Sequence, residues 1–120
     1  MNRQRILVAG LMLLVAVATA AAQQKRESQL RTVHGTVVDK QENPLASSVV
    51  YLKNLRTSVV KTYIGDDAGR YRFSGLDPNV DYQIHAEHGD STSRKHTISS
   101  FDSRKEAVIN LKVDRKKSEK

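Results

Sequence analysis

From Thr32 onward the sequence alternates short runs rich in Val, Ile, Tyr and Thr with clusters of Gly, Pro, Asn and Asp, and no run there carries a helical period. β-Branched and aromatic side chains suit a pleated, half-buried surface, and punctuation by turn residues at this spacing marks an all-β domain. The pattern predicts seven strands, over about 32–39, 48–54, 58–64, 70–74, 80–88, 94–99 and 106–113. Side chains alternate between the faces of a strand. Val33 and Val37, Val50 and Leu52, Tyr71 and Phe73, then Tyr82, Ile84 and Ala86, and finally Ala107, Ile109, Leu111 and Val113 are therefore expected to point inward. Val49, Tyr51, Lys53, Gln83, His85 and Glu87 then point outward. Pro44 falls in a turn that needs no ladder hydrogen bond, and Asp66-Asp67-Ala68-Gly69 reads as a tight hairpin with Gly69 at positive φ. Strands with one apolar face each need a second layer to cover them. The expected fold is an all-β, seven-stranded antiparallel β-sandwich, with Arg94, Lys95 and His96 on a charged edge that discourages pairing with another molecule.

Ahead of this domain, Arg3 and Arg5 precede an apolar run from Ile6 to Ala18, which is followed by Ala20-Ala21-Ala22 before Gln23. A basic start, a short apolar segment and small residues at a cleavage site predict a signal peptide over 1–22, so the chain is expected to be exported, periplasmic or secreted, and not an integral membrane protein after cleavage. Residues 23–31 (QQKRESQLR) read as a flexible lead-in, 32–113 as the β-sandwich and 114–120 as a basic tail. The sequence has no cysteine, which excludes disulfides and a lipoprotein anchor and leaves stability to core burial and backbone pairing. Arg3 and Arg5 contribute to the formal net charge of +7, and other basic residues gather in Lys25-Arg26 and in Arg115, Lys116, Lys117 and Lys120. Such an end can rest on the anionic phosphates of an envelope surface, with affinity that falls as salt rises. No aromatic residues interleave with these charges, so nucleic acid is not an expected partner.

The segments HGTVVDKQENPLASSVVYLKN (34–54) and GDDAGRYRFSGLDPNVDYQIHAEHG (65–89) resemble the carboxypeptidase regulatory-like domain. The similarity is carried by Gly35, Val37 and Asp39, by Pro44-Leu45, Asp66 and Gly69, by Tyr71 and Phe73, by Gly75-Leu76, and by Tyr82, Ile84 and Ala86, across roughly 32–113. It implies a transthyretin-like seven-stranded sandwich and a noncatalytic accessory, packing or adhesion role, without naming a partner. Ser47 replaces the family's glycine after Pro-Leu-Ala, and Asp90-Ser91 replace the aromatic after Gly89, so the departures fall in turns.

The group most suggestive of chemistry is His85-Ala86-Glu87-His88. His85 and Glu87 share a strand face within reach of one cation, whereas His88 points the other way, and a third ligand would have to come from His34 or His96 on a neighbouring strand. A solvated face is the expected reading, and no cofactor is expected. Asp66-Asp67 lack the alternating oxygen ligands of a calcium loop, and a turn accounts for both. Serine is plentiful, yet no G-x-S-x-G elbow accompanies the histidines. The same fold includes hydroxyisourate hydrolases, whose C-terminal Tyr-Arg-Gly-Ser this chain lacks. In the related collagen-adhesin B-type repeats, a lysine and an asparagine form an isopeptide bond beside an acid. Asn110 occupies the asparagine's strand, but Val37 and Ala86 stand where the lysine and acid would be, so the bond is expected to be absent.

The expected role is therefore a noncatalytic module for binding or structural interactions at the envelope or outside the cell, with a protein or glycan partner. Tyr51 and Tyr63 as an aromatic platform and Arg115, Lys116 and Lys117 as a basic patch are the expected contact surface. The alternative is a small metal-dependent or hydrolytic enzyme built on His85, Glu87 and His88.

Overall fold

The computed structural model of the chain describes residues 30–117. The expected signal peptide (1–22) and residues 23–29 of the lead-in lie outside the described residues, as do 118–120. Among the described residues there are nine strands and no helix: β1 (Arg31–Val38), β2 (Val49–Asn54), β3 (Val60–Ile64), β4 (Arg70–Leu76), β5 (Tyr82–His88), β6 (Ser91–Ser93), β7 (His96–Ile98), β8 (Glu106–Val108) and β9 (Leu111–Lys116). They join in the order β3-β2-β5-β6-β9-β1-β4, with β7 attached to β5 and β8 to β1. This surface curls nearly closed, so that Tyr63 of β3 and Phe73 of β4, on its two end strands, meet edge to face at 5.9 Å.

The period-two assignment of inward residues holds: Val33, Val37, Val50, Leu52, Tyr71, Phe73, Tyr82, Ile84, Ala86, Ala107, Leu111 and Val113 are all buried in one cluster, with Ile109 packed against it. Leu76, Val80 and Ile98 complete the core. Ser47 adopts a left-handed φ of 61°, the conformation for which the family's glycine is suited.

Four expectations are corrected. The sheet is mixed, because β1 pairs in parallel with both β8 and β9 while pairing antiparallel with β4. The last expected strand, 106–113, is interrupted at Ile109 and Asn110, though β8 and β9 keep one register along β1, with Val33 opposite Ala107 and Val37 opposite Leu111. Across the gap the Ile109 amide donates to the His34 carbonyl at 2.9 Å, the Thr36 amide donates to Asn110 Oδ1 at 3.1 Å, and the Tyr71 hydroxyl donates to the Ile109 carbonyl. One main-chain bond and two from side chains thus hold the link where regular strand pairing lapses.

The second correction concerns β6, which lies in the stretch between the strands expected over 80–88 and 94–99. Gly89, at φ 59°, and Asp90 reverse the chain so that His88 pairs with Ser91 and Glu87 with Thr92. The third follows from it: β6 offers its other edge to β9, which therefore continues to Lys116 where a free tail was expected from 114. The fourth is Arg31, expected in the lead-in but buried as the first residue of β1. The charged edge is realised in part, since among the described residues β7 has β5 as its one partner and includes His96, while Arg94 and Lys95 precede it.

At the β6–β9 pairing the register slips between Thr92 and Ser93. The buried Ser93 hydroxyl restores the lost bonding, accepting from the Ala86 amide and donating to the Arg94 carbonyl, both at 2.9 Å. Ser93→Ala would strand that buried amide. It is expected to cost about 1–3 kcal/mol, read as a lower midpoint in chemical unfolding.

Candidate functional site

Pairing of β2 with β5 sets Tyr51 opposite His85, Lys53 opposite Gln83 and Val49 opposite Glu87, so the outward residues of the two strands form adjoining rows. The Tyr51 and His85 rings stack with centroids 5.0 Å apart and planes 13° from parallel. His85 Nε2 lies 3.2 Å from Glu87 Oε2, and the other carboxylate oxygen accepts from Lys117 Nζ at 3.0 Å. Burial pushes the Glu87 carboxyl upward, but hydrogen bonds from Lys117 and His85 with their charges outweigh it, and its pKa is lowered overall. The hydrogen bond to the Glu87 carboxylate likewise raises the Lys117 ammonium above its ordinary value. Beside this chain an open cleft of about 290 Å³ is lined by Tyr51, Lys53, Val60, Gln83, His85, Glu87 and Lys95. It offers aromatic edges, an amide and ammonium groups to a ligand.

The other expected residues divide around this face. His88 lies on the opposite side of β5 with its Nδ1 3.2 Å from the buried Ser48 hydroxyl, so it does not join His85 and Glu87. His34 Nε2 lies 3.1 Å from Glu106 on β8, and His96 stands opposite the buried Ile84. Among the described residues no group of three or more His, Cys, Asp or Glu could hold a metal ion. Burial, and then the charge of Arg94, lower the pKa of His96.

Tyr63 is a correction to the expected platform. It pairs with Val50, not with an outward residue of β2, and so faces Phe73 while Tyr51 faces the cleft. Of the basic trio, Arg115 bonds Asp114 at 3.1 Å, Lys116 pairs with Ser91 in the sheet, and Lys117 reaches Glu87. The Asp66 carboxylate accepts the Ala68 and Arg70 amides at 3.0 and 2.9 Å and the Arg70 guanidinium at 2.9 Å, which accounts for it as a turn residue. Hydrogen bonds from Arg70, backbone first, lower its pKa. Sequence reasoning assigned Lys53 and Gln83 to the outward rows without recognising a cleft, and it missed Val60 and Lys95 as lining residues. Lys95 carried no signal, because the chain between β6 and β7 brings it there.

The sequence pattern of the carboxypeptidase regulatory-like domain matches residues 32–114. No curated protein matches the chain. Among solved structures, catechol 1,2-dioxygenase from Pseudomonas arvilla C-1 superposes with a TM-score of 0.56 at 12% identity, covering 77% of this chain and 54% of that one. A shaft pilin from Lactobacillus rhamnosus GG gives a TM-score of 0.57 at 13% identity, covering 72% of this chain and 48% of the pilin. The dioxygenase domain of a dioxygenase carbohydrate-binding protein fusion from Streptomyces sp. SirexAA-E gives 0.53 at 13% identity, covering 73% and 81%. This chain thus spans about half the length of the first two. At these identities the likeness is one of fold.

Proposed function

The chain belongs to the carboxypeptidase regulatory-like domain family, and from that membership we propose that it is an exported, noncatalytic binding module acting at the cell envelope or outside the cell. In this reading the strands order themselves as the transthyretin-like sandwich, with β3, β2 and β5 in one layer and β4, β1 and β8 in the other, and the short β6 and β7 completing the first. The observation that carries the functional reading is the open cleft over β2 and β5, where Lys53 and Lys95 stand beside the Tyr51–His85 stack. Such a surface suits an acidic glycan or an acidic protein segment, and the same charges favour an anionic envelope surface. The enzyme alternative is less well supported, because His88 is separated from His85 and Glu87.

A photo-crosslinking residue in place of Tyr51 tests the module directly in envelope and medium fractions. A reproducible adduct is expected, weakened by salt and lost when Lys53→Glu and Lys95→Glu are combined; absence of an adduct, or indifference to the charge reversal, would overturn the proposal. The enzyme reading would return if the purified chain held stoichiometric metal that His85→Ala with His88→Ala removed.

The His85–Glu87–Lys117 chain gives the face a pH dependence. The Glu87 carboxyl is held below its ordinary 4.5, so its contribution to folding is present above that value and lost as pH falls through the lower folded value. Glu87→Gln is expected to flatten this part of the acid limb, with a change at neutral pH of about 0–1 kcal/mol because the pair is solvent-screened. Unfolding midpoints across the acid range measure it.

A further inference from the structure

Every residue of β3 is exposed, and the apolar ones are large: Val60, Tyr63 and Ile64 are 49%, 40% and 69% accessible. Among the described residues β3 pairs with β2 alone. The direction of its free backbone groups follows from the bonds flanking the pairing. The Asn54 amide donates to the Val59 carbonyl at 2.9 Å, and the Gly65 amide donates to the Ser48 carbonyl at 2.8 Å. Antiparallel pairs alternate between bonded and non-bonded, so Lys61 and Tyr63 bond to β2 while Val60, Thr62 and Ile64 turn their amides and carbonyls to the open edge.

We propose that β3 is a self-pairing edge that joins two copies of this chain through an antiparallel β3–β3 ladder centred on Thr62. A two-fold axis at Thr62 sets Val60 against Ile64 of the second copy, Thr62 against Thr62, and Lys61 against Tyr63. The outward amides and carbonyls fall in the bonded pairs of this register. On one face the apolar Val60 and Ile64 side chains meet across the axis. On the other, each Lys61 ammonium meets a tyrosine ring and not its own copy, so no like charges oppose one another. A self-complementary surface of this kind is what a two-fold contact requires. Of the usual protections of an edge only the charge of Lys61 is present: the β2–β3 register runs without a shift, and the strand VKTYI has no proline.

The pairing has a geometric consequence for the cleft. An axis perpendicular to the sheet keeps corresponding faces on one side, so both Tyr51–His85 clefts would open in the same direction. The two β2 strands would lie three inter-strand spacings apart, roughly 14 Å. A repetitive partner could then be gripped twice. The pairing itself does not depend on what the clefts bind.

Sedimentation equilibrium of the purified full chain from micromolar to millimolar concentration tests the proposal. The expected mass rises to twice the 13.4 kDa of one chain. Thr62→Lys sets two ammonium groups face to face across the axis and is expected to weaken dimerisation at least ~10-fold, whereas Thr62→Val preserves it. The Thr62 side chain is exposed, so at concentrations too low for dimerisation both variants should melt with the wild type. The chain has no cysteine of its own, which makes Thr62→Cys a clean reporter: mild oxidation is expected to give a covalent dimer, and Ser91→Cys on β6 is not. A single-chain mass throughout, a dimer indifferent to Thr62→Lys, or equal crosslinking of the two cysteine variants would overturn it.

Discussion

Gly35→Ala is expected to leave most of the domain unfolded at room temperature, the largest effect of adding a methyl to any of the described glycines. A Cβ at this position would lie 2.0 Å from the carbonyl oxygen of Ile109 and 2.7 Å from its carbon. Neither is the loose end of a flexible side chain. The Tyr71 hydroxyl donates to that oxygen, the Ile109 amide is bonded to the His34 carbonyl, and the adjoining Asn110 side chain receives the Thr36 amide. Relieving the clash means moving the link between β8 and β9 away from β1, which breaks these bonds together. The Thr36–Asn110 bond is exposed and water can replace it, but each partly buried group left unsatisfied at Tyr71 and Ile109 costs about 1–3 kcal/mol, and with the strain of the backbone clash the loss approaches the lower end of the ~5–15 kcal/mol that a whole domain has to lose. Gly75 separates this cause from ordinary glycine conformational preference. It has φ 70° but nothing within 4 Å of a built Cβ, so Gly75→Ala should cost only the left-handed penalty of about 1–2 kcal/mol. Urea unfolding followed by tyrosine fluorescence measures both. Equal midpoints for the two variants would sink the close-approach argument.

That crossing also shows where sequence reading stops. The inward side chains were legible because period two is a property of each strand by itself, and Val50, Leu52, Tyr82, Ile84 and Ala86 need no knowledge of their neighbours to be assigned. Gly35 was legible as a family position, but its reason lies 74 residues away in the Ile109 carbonyl, as does the break between β8 and β9. Parallel pairing on β1 leaves no local mark either. The short β6 was hidden because Ser91-Thr92-Ser93 lacks an apolar alternation, and β9 extends to Lys116 only because β6 is there to receive it.

The candidate site divides in the same way. Tyr51, His85 and Glu87 were assigned to an outward face by parity, and their row exists as expected. Tyr63 was assigned to the same side, but its face depends on the register across residues 55–59. A difference of one residue there turns every side chain of β3 over. Ser58 at φ 63° is among the residues that set this register, and nothing in its identity announces a left-handed conformation. Lys117 joins Glu87 for a reason the sequence could not display, since the contact requires β9 to run beside β6.

Arg31 sat in a run of polar residues with no apolar period, which is why it read as part of a flexible lead-in. Its side chain is nevertheless only 5% exposed, with Nε donating to the Arg104 carbonyl at 3.1 Å and Nη1 to the Ser99 carbonyl at 2.9 Å. Nη2 stands 3.9 Å from Asp102 and has no hydrogen-bond partner among the described residues. The guanidinium thus ties the segment 99–104 to the start of β1, next to the bond from the Thr32 amide to the Lys105 carbonyl. Removing it forfeits charged hydrogen bonds and the packing of the stem, so Arg31→Ala is expected to cost about 2–4 kcal/mol. Arg31→Lys keeps the charge but loses the planar fork, and about half of that loss should remain. Acid sharpens the comparison. Hydrogen bonds from Arg104, and then the Arg104 and Arg31 charges, hold the Asp102 carboxyl below its ordinary 3.8, so its contribution is present above that value and disappears as pH falls through the folded one. Arg31→Ala should therefore also weaken the acid dependence below 3.8, which a purely packing role would leave unchanged. A midpoint and acid limb both matching the wild type would refute the anchoring role. If Arg31 is the anchor, a chain cut to begin at Thr32 should fall at least as far as Arg31→Ala, because the cut removes the same guanidinium together with the backbone pairing of Arg31 with Leu76.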